Sequence, residues 1–480
     1  MVLEYIYSKL RVLASGKLIP LLFVVFAICI IHEEYKFLLN KIPITEIHQD
    51  ESQHVHIAWN ILKGKVIYKD FWEHHGPLTA WVNGLVLKSL RGEVASFQTF
   101  FILRYWSVLV FSVSSVFVVL SVYFLSGNLA AGFLALPLMF ATTVFQNEIF
   151  KLRPEIYIGL FFLVWFFLWL KNKRFFSGVV LGVCLAFHTK FFPTNLIVLI
   201  FDLFLFFPRS RSTRSILNCF SMALGQSLTC FLVIIVLWLQ GSLMDGYQTL
   251  LAHNFELASK RLSVESVQYL YKTLPKSEAL LFQVLGGLIL VLVFLFFLKR
   301  RQVSNPIKMG FILMISFLVF LTSPVWNYSL IMFLPVLIVL VVSFIALIPW
   351  NRVLSLGLLA TLIWRLWGET YKIPQTNSSL LETQRESVQL VLTQTTRETP
   401  IFYVWASRCP AYVFNADFNK WWANMPYVIN LDPMVQVNRF EDLGIRWVAI
   451  ETSYMNGIYR IEKAFLENKF ERIGCLWKRK

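Results

Sequence analysis

The residues best suited to chemistry are concentrated in one short stretch near the start of the chain. Residues 32–75 contain six of the eight histidines, and four of the acids in this stretch lie close to them. These residues are His32, His48, His54, His56, His74, His75, Asp50, Glu51, Asp70 and Glu73. An ionised carboxylate can take the proton of an attacking hydroxyl, and carboxylates with imidazoles suit a divalent metal such as zinc or manganese. This stretch is therefore the first candidate for a catalytic site.

Two helices are predicted to position these groups. Residues 54–63 form an amphipathic pattern whose apolar face contains Val55, Ala58, Trp59 and Leu62. Gly64 ends this helix, a tight connection follows at 68–71, and Pro77 opens a second helix. We expect both helices to lie at the outer membrane interface. The alternative is that Asp50 and Glu51 have no catalytic role and are simply acids in the first turn of a helix, where acids are favourable.

The composition places these helices in a membrane protein. Of 480 residues, 57% are hydrophobic and 15% are charged, against roughly 25% charged in soluble proteins. The apolar residues form blocks that only lipid could cover, which excludes a soluble enzyme. The net charge of +16 comes largely from small basic clusters between these blocks. Topology explains such clusters, so no nucleic-acid partner is predicted.

The apolar blocks predict about eleven membrane-spanning helices. They lie near 18–31, 100–125, 129–145, 156–170, 175–188, 191–207, 216–239, 280–298, 309–322, 328–348 and 353–367. No cleavage site follows the first block, so we expect it to remain as an anchor. The intramembrane Asp202 is expected to pair with a neighbouring helix.

Basic residues between the blocks predict the orientation, because Lys and Arg accumulate on the cytoplasmic side. They are Lys9, Arg11, Lys17, Lys171, Lys173, Arg174, Arg209, Arg211, Arg214, Lys299, Arg300, Arg301 and Arg352. The prediction is a multi-pass protein of the inner or plasma membrane with a cytoplasmic amino terminus. The polar segments 32–99, 240–279 and 368–480 then lie outside. The opposite parity follows if the fifth and sixth blocks form one re-entrant element.

The composition changes at residue 368, which divides the chain into a membrane domain, 1–367, and a small external α/β domain, 368–480. Segments 401–406, 446–451 and 470–477 are predicted as strands, and 455–468 as a helix. Cys409 and Cys475 are the two cysteines in polar sequence, and a disulfide between them is left open.

The first polar segment resembles a known family. An Asp-Glu pair follows the first span, and then comes the pattern A-x-x-I-x-x-G-x-x-x-Y-x-D-F-x-E-H-H-x-P-L. This pattern is similar to the GT-C integral-membrane glycosyltransferases, in the branch of bacterial lipopolysaccharide-core glycosyltransferases, lipid A aminoarabinose transferases and protein O-mannosyltransferases. The segments LRPEIYIGL (152–160), LAFHTKFFP (185–193) and SPVWNYSLIMFLP (323–335) extend the resemblance over residues 1–350. Glu155 replaces a common Asp, and Asn327 replaces a frequent His.

The resemblance implies transfer of one sugar from a polyprenyl-phosphate carrier to an acceptor hydroxyl of a glycan, lipid or protein at the external membrane face. Asp50 is then the general base, with Glu51 as its catalytic partner. Arg153 and Lys190 are expected to bind the donor phosphate. A set of further residues is expected to support the site or bind substrate, namely Asp70, His74, Glu155 and Tyr328.

The same resemblance suggests that Glu73 and His75 hold a divalent metal. The alternative is that both residues make hydrogen bonds that fix the loop over the donor. Two other functions also stay open at this point. One is a transporter or flippase for lipid-linked glycans. The other is a non-catalytic glycan-assembly protein, whose tail aromatics either stack on sugars or fill a core.

Overall fold

The computed structural model describes residues 18–71, 73–90, 95–205, 213–253, 313, 327–347, 357, 363, 378–396, 399, 401–404, 410–414, 446–450, 467–473 and 476–480. These residues are mostly helical, with one small sheet near the carboxyl end. Tyr328 lies in the 3₁₀ helix Asn327–Met332, but its side chain is outside the described part.

Most of the described helices before residue 348 overlap the predicted apolar blocks. These helices are α1 (Leu18–Lys41), α2 (Gln49–Leu62), α3 (Pro77–Leu90), α4 (Gln98–Ser126), α5 (Leu129–Phe140), α6 (Thr143–Glu148), α7 (Pro154–Leu170), α8 (Arg174–Phe187), α9 (Phe192–Leu205), α10 (Thr213–Leu239), α11 (Leu243–Tyr247) and α12 (Leu334–Leu347). A 3₁₀ turn, Thr189–Phe191, joins α8 to α9, and a π-helical turn, Gln248–His253, follows α11.

Two of the described helical segments, Gln98–Ser126 and Phe220–Leu239, are long and apolar enough to cross a membrane. Four further apolar helices are shorter, at 10–17 residues. The predicted spans near 280–298, 309–322 and 353–367 fall almost wholly outside the described residues, so the number of spans remains a prediction. The first predicted span is a longer helix than expected, because α1 continues to Lys41. Hydropathy marks where apolar residues stop, whereas a helix continues through polar residues such as Glu34.

Close helix packing holds the apolar bundle together. A Cβ added to Gly178 of α8 would lie 1.9 Å from the Met222 carbonyl oxygen of α10. Small residues allow this approach, which is how helices commonly associate in membranes. Asp202 of α9 accepts a hydrogen bond from Trp169 Nε1 at 2.9 Å and pairs with Arg174. The predicted pairing of Asp202 with a neighbouring helix is therefore present.

The helix that carries the Asp-Glu pair is longer and more deeply buried than the sequence predicts. His48 is the N-cap of α2, and its side chain together with Glu51 forms a reciprocal capping box. This capping starts the helix at Gln49, before the expected residue 54. Its polar residues Ser52, His54 and Asn60 are buried along with the apolar face. The expected interfacial helix is therefore held on several sides by protein.

The carboxyl-terminal part contains a helix, α13 (Ser378–Gln394), and a four-stranded mixed sheet of order β1-β2-β4-β3. The strands are β1 (Ile401–Val404), β2 (Trp447–Ile450), β3 (Phe470–Ile473) and β4 (Leu476–Arg479). β1 runs parallel to β2, whereas β4 is antiparallel to both β2 and β3. The predicted single strand 470–477 is instead a hairpin. The predicted helix 455–468 and both Cys409 and Cys475 fall outside the described residues, apart from residues 467 and 468.

Candidate active site

A buried ion pair fixes the chain just before the Asp-Glu pair. Arg104 of α4 donates from Nε and Nη2 to the two carboxylate oxygens of Glu51, at 2.6 and 2.7 Å. Its remaining N–H groups donate at 2.7 to 2.8 Å to the main-chain carbonyls of Ile42, Thr45 and Glu46. Both side chains are fully buried. All five guanidinium donors are thus used, which makes Arg104 a rigid clamp on the loop between α1 and α2.

Asp50 lies beside this clamp but in a more open position. Its Oδ2 accepts a hydrogen bond from Arg153 Nη1 at 2.8 Å. The side chain of Asp50 is 27% exposed, while that of Arg153 is 2% exposed. His48 lies between them, because its Nδ1 is 3.2 Å from Arg153 Nη2. The Asp50 carboxylate can therefore meet a ligand while one oxygen stays bound to a cation.

The position of Arg153 follows from its sequence neighbours. Pro154 occupies the first turn of α7 and forces the residue before it into an extended conformation. Arg153 consequently turns away from the helix axis as its N-cap, with φ −147° and ψ 147°. A second acid, Glu148 at the end of α6, comes within 3.3 Å of Arg153 Nε. One buried guanidinium thus faces two carboxylates from different elements.

These charges set the protonation states around Asp50. Burial alone would raise the pKa of Asp50, but the positive charge of Arg153 outweighs it, and the pKa lies well below its usual range. Glu148 behaves in the same way: burial raises its pKa, but the positive charges of Arg153 and Lys151 outweigh burial, so the pKa is lowered. Burial and then Arg153 lower the pKa of His48 to about 4. At neutral pH both acids are ionised and His48 is neutral.

The second part of the site is a buried cluster around Glu73. The Glu73 carboxylate accepts hydrogen bonds from the main-chain N–H of His75 at 2.8 Å and from the His75 ring. Ligand atoms of His54, Glu73 and His75 all lie within 4.8 Å of one another. Among the described residues, Glu73 Oε2 and His54 Nδ1 are buried without a hydrogen-bond partner. Two lone, buried polar atoms of this kind call for a ligand or an ordered water.

Imidazoles dominate this cluster. The His75 ring lies 4.9 Å from that of His54, 3.8 Å from that of His74 and 4.6 Å from that of His188, measured between centroids. Burial is the main cause that lowers the pKa of His54 and of His75 to about 3. The electrostatic interaction with the neighbouring His75 also lowers the pKa of His54, and the positive charge of Lys190 also lowers the pKa of His75. Neutral imidazoles are the form that binds metal ions.

A tight main-chain contact joins this cluster to the loop after α8. Gly76 donates its N–H to the Phe187 carbonyl at 3.1 Å. A Cβ on Gly76 would lie 1.9 Å from the Ala186 carbonyl oxygen, so only glycine fits here. The contact brings His188 and Lys190 to the Glu73 cluster. His188 Nδ1 accepts from the Lys190 N–H at 3.2 Å, and its Nε2 lies 3.9 Å from Glu155.

Comparison with known proteins gives matches in structure alone. The sequence matches no family model and no curated protein sequence. ArnT from Cupriavidus metallidurans, bound to undecaprenyl phosphate, matches with a TM-score of 0.56 at 11% identity, over 84% of this chain and 86% of that one. The oligosaccharyltransferase AglB from Archaeoglobus fulgidus, in complex with an inhibitory peptide and a dolichol-phosphate, matches with a TM-score of 0.54 at 12% identity, over 90% and 69%. The chain has the GT-C fold.

A further structure with the GT-C fold contains a metal. It is the Archaeoglobus fulgidus oligosaccharyltransferase in complex with Zn and sulfate, which matches with a TM-score of 0.52 at 13% identity, over 89% of this chain and 67% of that one. At these identities the likeness establishes the fold. The resemblance noted in the first polar segment is thus confirmed at that level.

Most of the residues singled out in the sequence meet at one place in this GT-C fold. The cluster contains Asp50, Glu51, Glu73, His74, His75, Arg153, Glu155 and Lys190. Asp70 is different, because it is exposed and its carboxylate closes a local turn by accepting the Val66 N–H at 2.6 Å.

Four further residues of the cluster were not assigned a role from the sequence, namely Arg104, His54, Glu148 and His188. Arg104 had a detectable signal, since a lone arginine inside an apolar block is a functional candidate. His54 belongs to the histidine-rich stretch, but nothing in its spacing connects it to Glu73.

Proposed function

We propose that this protein transfers one sugar from a polyprenyl-phosphate carrier to an acceptor hydroxyl at the external face of a cell membrane. The observation that carries this proposal is the partly exposed Asp50 carboxylate held against the buried Arg153, next to the cluster that includes Lys190. This arrangement offers a base and cations at one place. The fold supports it further, because ArnT binds undecaprenyl phosphate and AglB binds a dolichol-phosphate in structures of that fold.

In the proposed reaction the acceptor oxygen attacks the anomeric carbon while Asp50 takes the hydroxyl proton. The bond between the anomeric carbon and the phosphate oxygen breaks, and the lipid phosphate leaves with its electron pair. Negative charge therefore grows on the phosphate, where Arg153 and Lys190 stabilise it.

In this scheme Arg153 binds either Asp50 or the donor phosphate. While it is paired with Asp50 it lowers the carboxylate's pKa, which keeps Asp50 ionised but also makes it a weak base. A donor phosphate competes with Asp50 for the same guanidinium. Donor binding would then raise the basicity of Asp50 when a base is needed.

Glu51 has a different role in this proposal from the catalytic one expected at the outset. Both of its carboxylate oxygens are occupied by Arg104, and the side chain is fully buried. Glu51 also caps the start of α2 by accepting the His48 N–H at 3.4 Å. We assign it to positioning Asp50, its neighbour in the first turn of α2.

His54, Glu73 and His75 would hold a divalent metal. The fit is supported by the buried Glu73 Oε2 and His54 Nδ1, which have no hydrogen-bond partner among the described residues. Two imidazoles and a carboxylate form a donor set typical of zinc. When bound, the ion would neutralise charge on the phosphate oxygens of a donor. The hydrogen bonds between Glu73 and His75 fit the alternative, in which these residues order the loop alone.

The experiment that tests the proposal uses the purified full chain in lipid nanodiscs. Polyprenyl-phosphate sugars with a radiolabelled hexose or pentose are supplied with an envelope lipid extract as acceptor, and label in the product is measured. Asp50→Asn keeps the size of the side chain and removes the base, so transfer should fall by about 100-fold or more. Glu33→Gln, an exposed acid on α1, is the matched control and should transfer at the normal rate.

Three results would count against the proposal. Full transfer by folded Asp50→Asn would refute the assignment of the base. If instead the carrier moves across a vesicle bilayer without forming a new glycosidic bond, the protein is a transporter. Retention of glycan without either activity would indicate an assembly protein.

A further inference from the structure

The main chain just before the candidate base is held from the carboxyl-terminal part of the protein. Gln384, in the middle of α13, is fully buried and reaches Ile47 with both ends of its carboxamide. The Ile47 N–H donates to Gln384 Oε1 at 2.8 Å, and Gln384 Nε2 donates to the Ile47 carbonyl at 2.9 Å. The side chain thereby imitates the paired hydrogen bonds of a neighbouring β-strand.

This contact is embedded in a hydrophobic cluster. Ile47 is 1% exposed and packs with apolar residues from α2, α13 and the sheet. These include Val55, Trp59, Leu381, Val388 and Trp447. In such surroundings water cannot replace a missing partner, so each hydrogen bond to Ile47 matters more than it would at the surface.

A second contact holds the middle of α2 to the same part of the protein. His56 Nδ1 donates to the Val413 carbonyl at 2.8 Å, and the Asn60 amide lies 3.0 Å from His56 Nε2. The Trp59 and Phe414 rings pack edge to face at 5.0 Å. The carboxyl-terminal part therefore holds α2 along its length as well as the chain that enters it.

The contact with Ile47 lies three residues before Asp50. His48 follows Ile47 directly, and its ring accepts the Asp50 N–H at 3.3 Å as the N-cap of α2. A shift of Ile47 would thus move the cap, and with it the first turn that carries Asp50. Arg104 fixes the carbonyls of residues 42, 45 and 46, and Gln384 fixes the next residue.

We propose that Gln384 is a positioning residue, which sets the place of the Asp50 carboxylate by holding Ile47 from α13. This inference rests on the proposed function, because it assumes that Asp50 is the base. Gln384 acts through its two hydrogen bonds to the Ile47 main chain. Its effect should appear in the chemical step and not in carrier binding, since reacting atoms need tighter placement than a phosphate does.

The test compares Gln384→Met with Gln389→Met in the full chain in nanodiscs. Met has nearly the volume of Gln but makes neither hydrogen bond, and Gln389 is an exposed residue of the same helix. We expect Gln384→Met to lower kcat by between about 10- and 100-fold. Binding of undecaprenyl phosphate should stay within about twofold, and Gln389→Met should match the wild type. Gln384→Asn, which keeps the amide but is one methylene shorter, provides the same comparison if the Met variant does not fold.

Hydrogen exchange gives a readout that does not need transfer activity. The Ile47 amide should be protected in the wild type and should exchange at least about tenfold faster in Gln384→Met, while amides in the middle of α2 change little. An unchanged kcat in the folded variant would overturn the proposal. Equal losses in kcat and in lipid binding would overturn it as well, because they indicate general damage. A wrong assignment of the base can be distinguished from a wrong assignment of Gln384, because only Asp50→Asn tests the base.

Discussion

The buried pair of Arg104 and Glu51 allows the most quantitative test of how the site is held. Replacing Arg104 with Met leaves an ionised carboxylate with no exposure and takes the donors from three main-chain carbonyls. Leaving one partner of a buried ion pair uncompensated costs about 3–5 kcal/mol. Each carbonyl adds about 1 kcal/mol unless the loop moves to water. We therefore expect Arg104→Met to be destabilised by about 4 kcal/mol or more.

The double variant separates the pair from its surroundings. Glu51→Gln combined with Arg104→Met removes the uncompensated charge. The double variant should therefore lose less free energy of unfolding than the two single variants lose in sum, by at least about 1 kcal/mol. An exposed pair on α13, Arg385 and Glu382, at 3.2 Å serves as the control. Surface pairs contribute about 0–1 kcal/mol, so its coupling should lie near zero.

The assay is equilibrium unfolding in mixed micelles, followed by tryptophan fluorescence, for the four members of each cycle. Additive effects for Arg104 and Glu51 would refute the clamp, because they would mean that the two side chains do not interact in solution. A second measurement follows transfer activity in Glu51→Gln. If Glu51 only positions Asp50, the rate should fall less than it does in Asp50→Asn.

Three further predictions concern other parts of the site. Gly76→Ala forces a Cβ against the Ala186 carbonyl and should separate the loops that carry Glu73 and His188, so the variant should lose transfer activity. The radiolabel assay described above measures this loss, and a normal transfer rate would contradict the prediction. Exhaustive chelation should remove about one equivalent of metal, measured by mass spectrometry, and His54→Ala should bind less metal than the wild type. If the metal-free protein is fully active, the cluster serves only as a hydrogen-bonded support. The folded pKa of His48, about 4, lies below its ordinary value of 6.5, so the unfolded chain binds more protons between these values and stability falls as pH drops through this window. His48→Asn, which keeps an N-cap acceptor, should make the unfolding midpoint less sensitive to pH between 7 and 5, and an unaltered pH slope would contradict this.

Local patterns explain which features the sequence predicts well. Pro77 begins a helix in both the prediction and the structure, because proline at a first helical position acts on its own turn. The start of α2 was missed, since it depends on the His48 and Glu51 capping box rather than on apolar spacing. The hairpin at 470–479 is merged into one strand in the prediction, although Gly474, a residue type common in turns, stands in the sequence between β3 and β4.

Long-range contacts explain what the sequence leaves out. Glu51 and Arg104 are 53 residues apart, and Ile47 and Gln384 are 337 residues apart. No local pattern marks such pairs, and hydropathy assigns Arg104 to an apolar span. The sequence groups Glu73 with His75 because they are close in the chain, but it does not add His54, which comes from helix α2.

Two adjacent acids at the start of α2 show why environment decides role. Glu51 is fully buried and both of its oxygens are bound by one arginine, so it cannot accept a proton or exchange a partner without breaking the clamp. Asp50 accepts one strong hydrogen bond, from Arg153, and its side chain is 27% exposed, so it can reach a second partner. Environments that separate two carboxylates in this way commonly divide their functions. In the proposed function, rigid Glu51 keeps Asp50 in place, and this fixed place would allow Asp50 to exchange Arg153 for an acceptor hydroxyl.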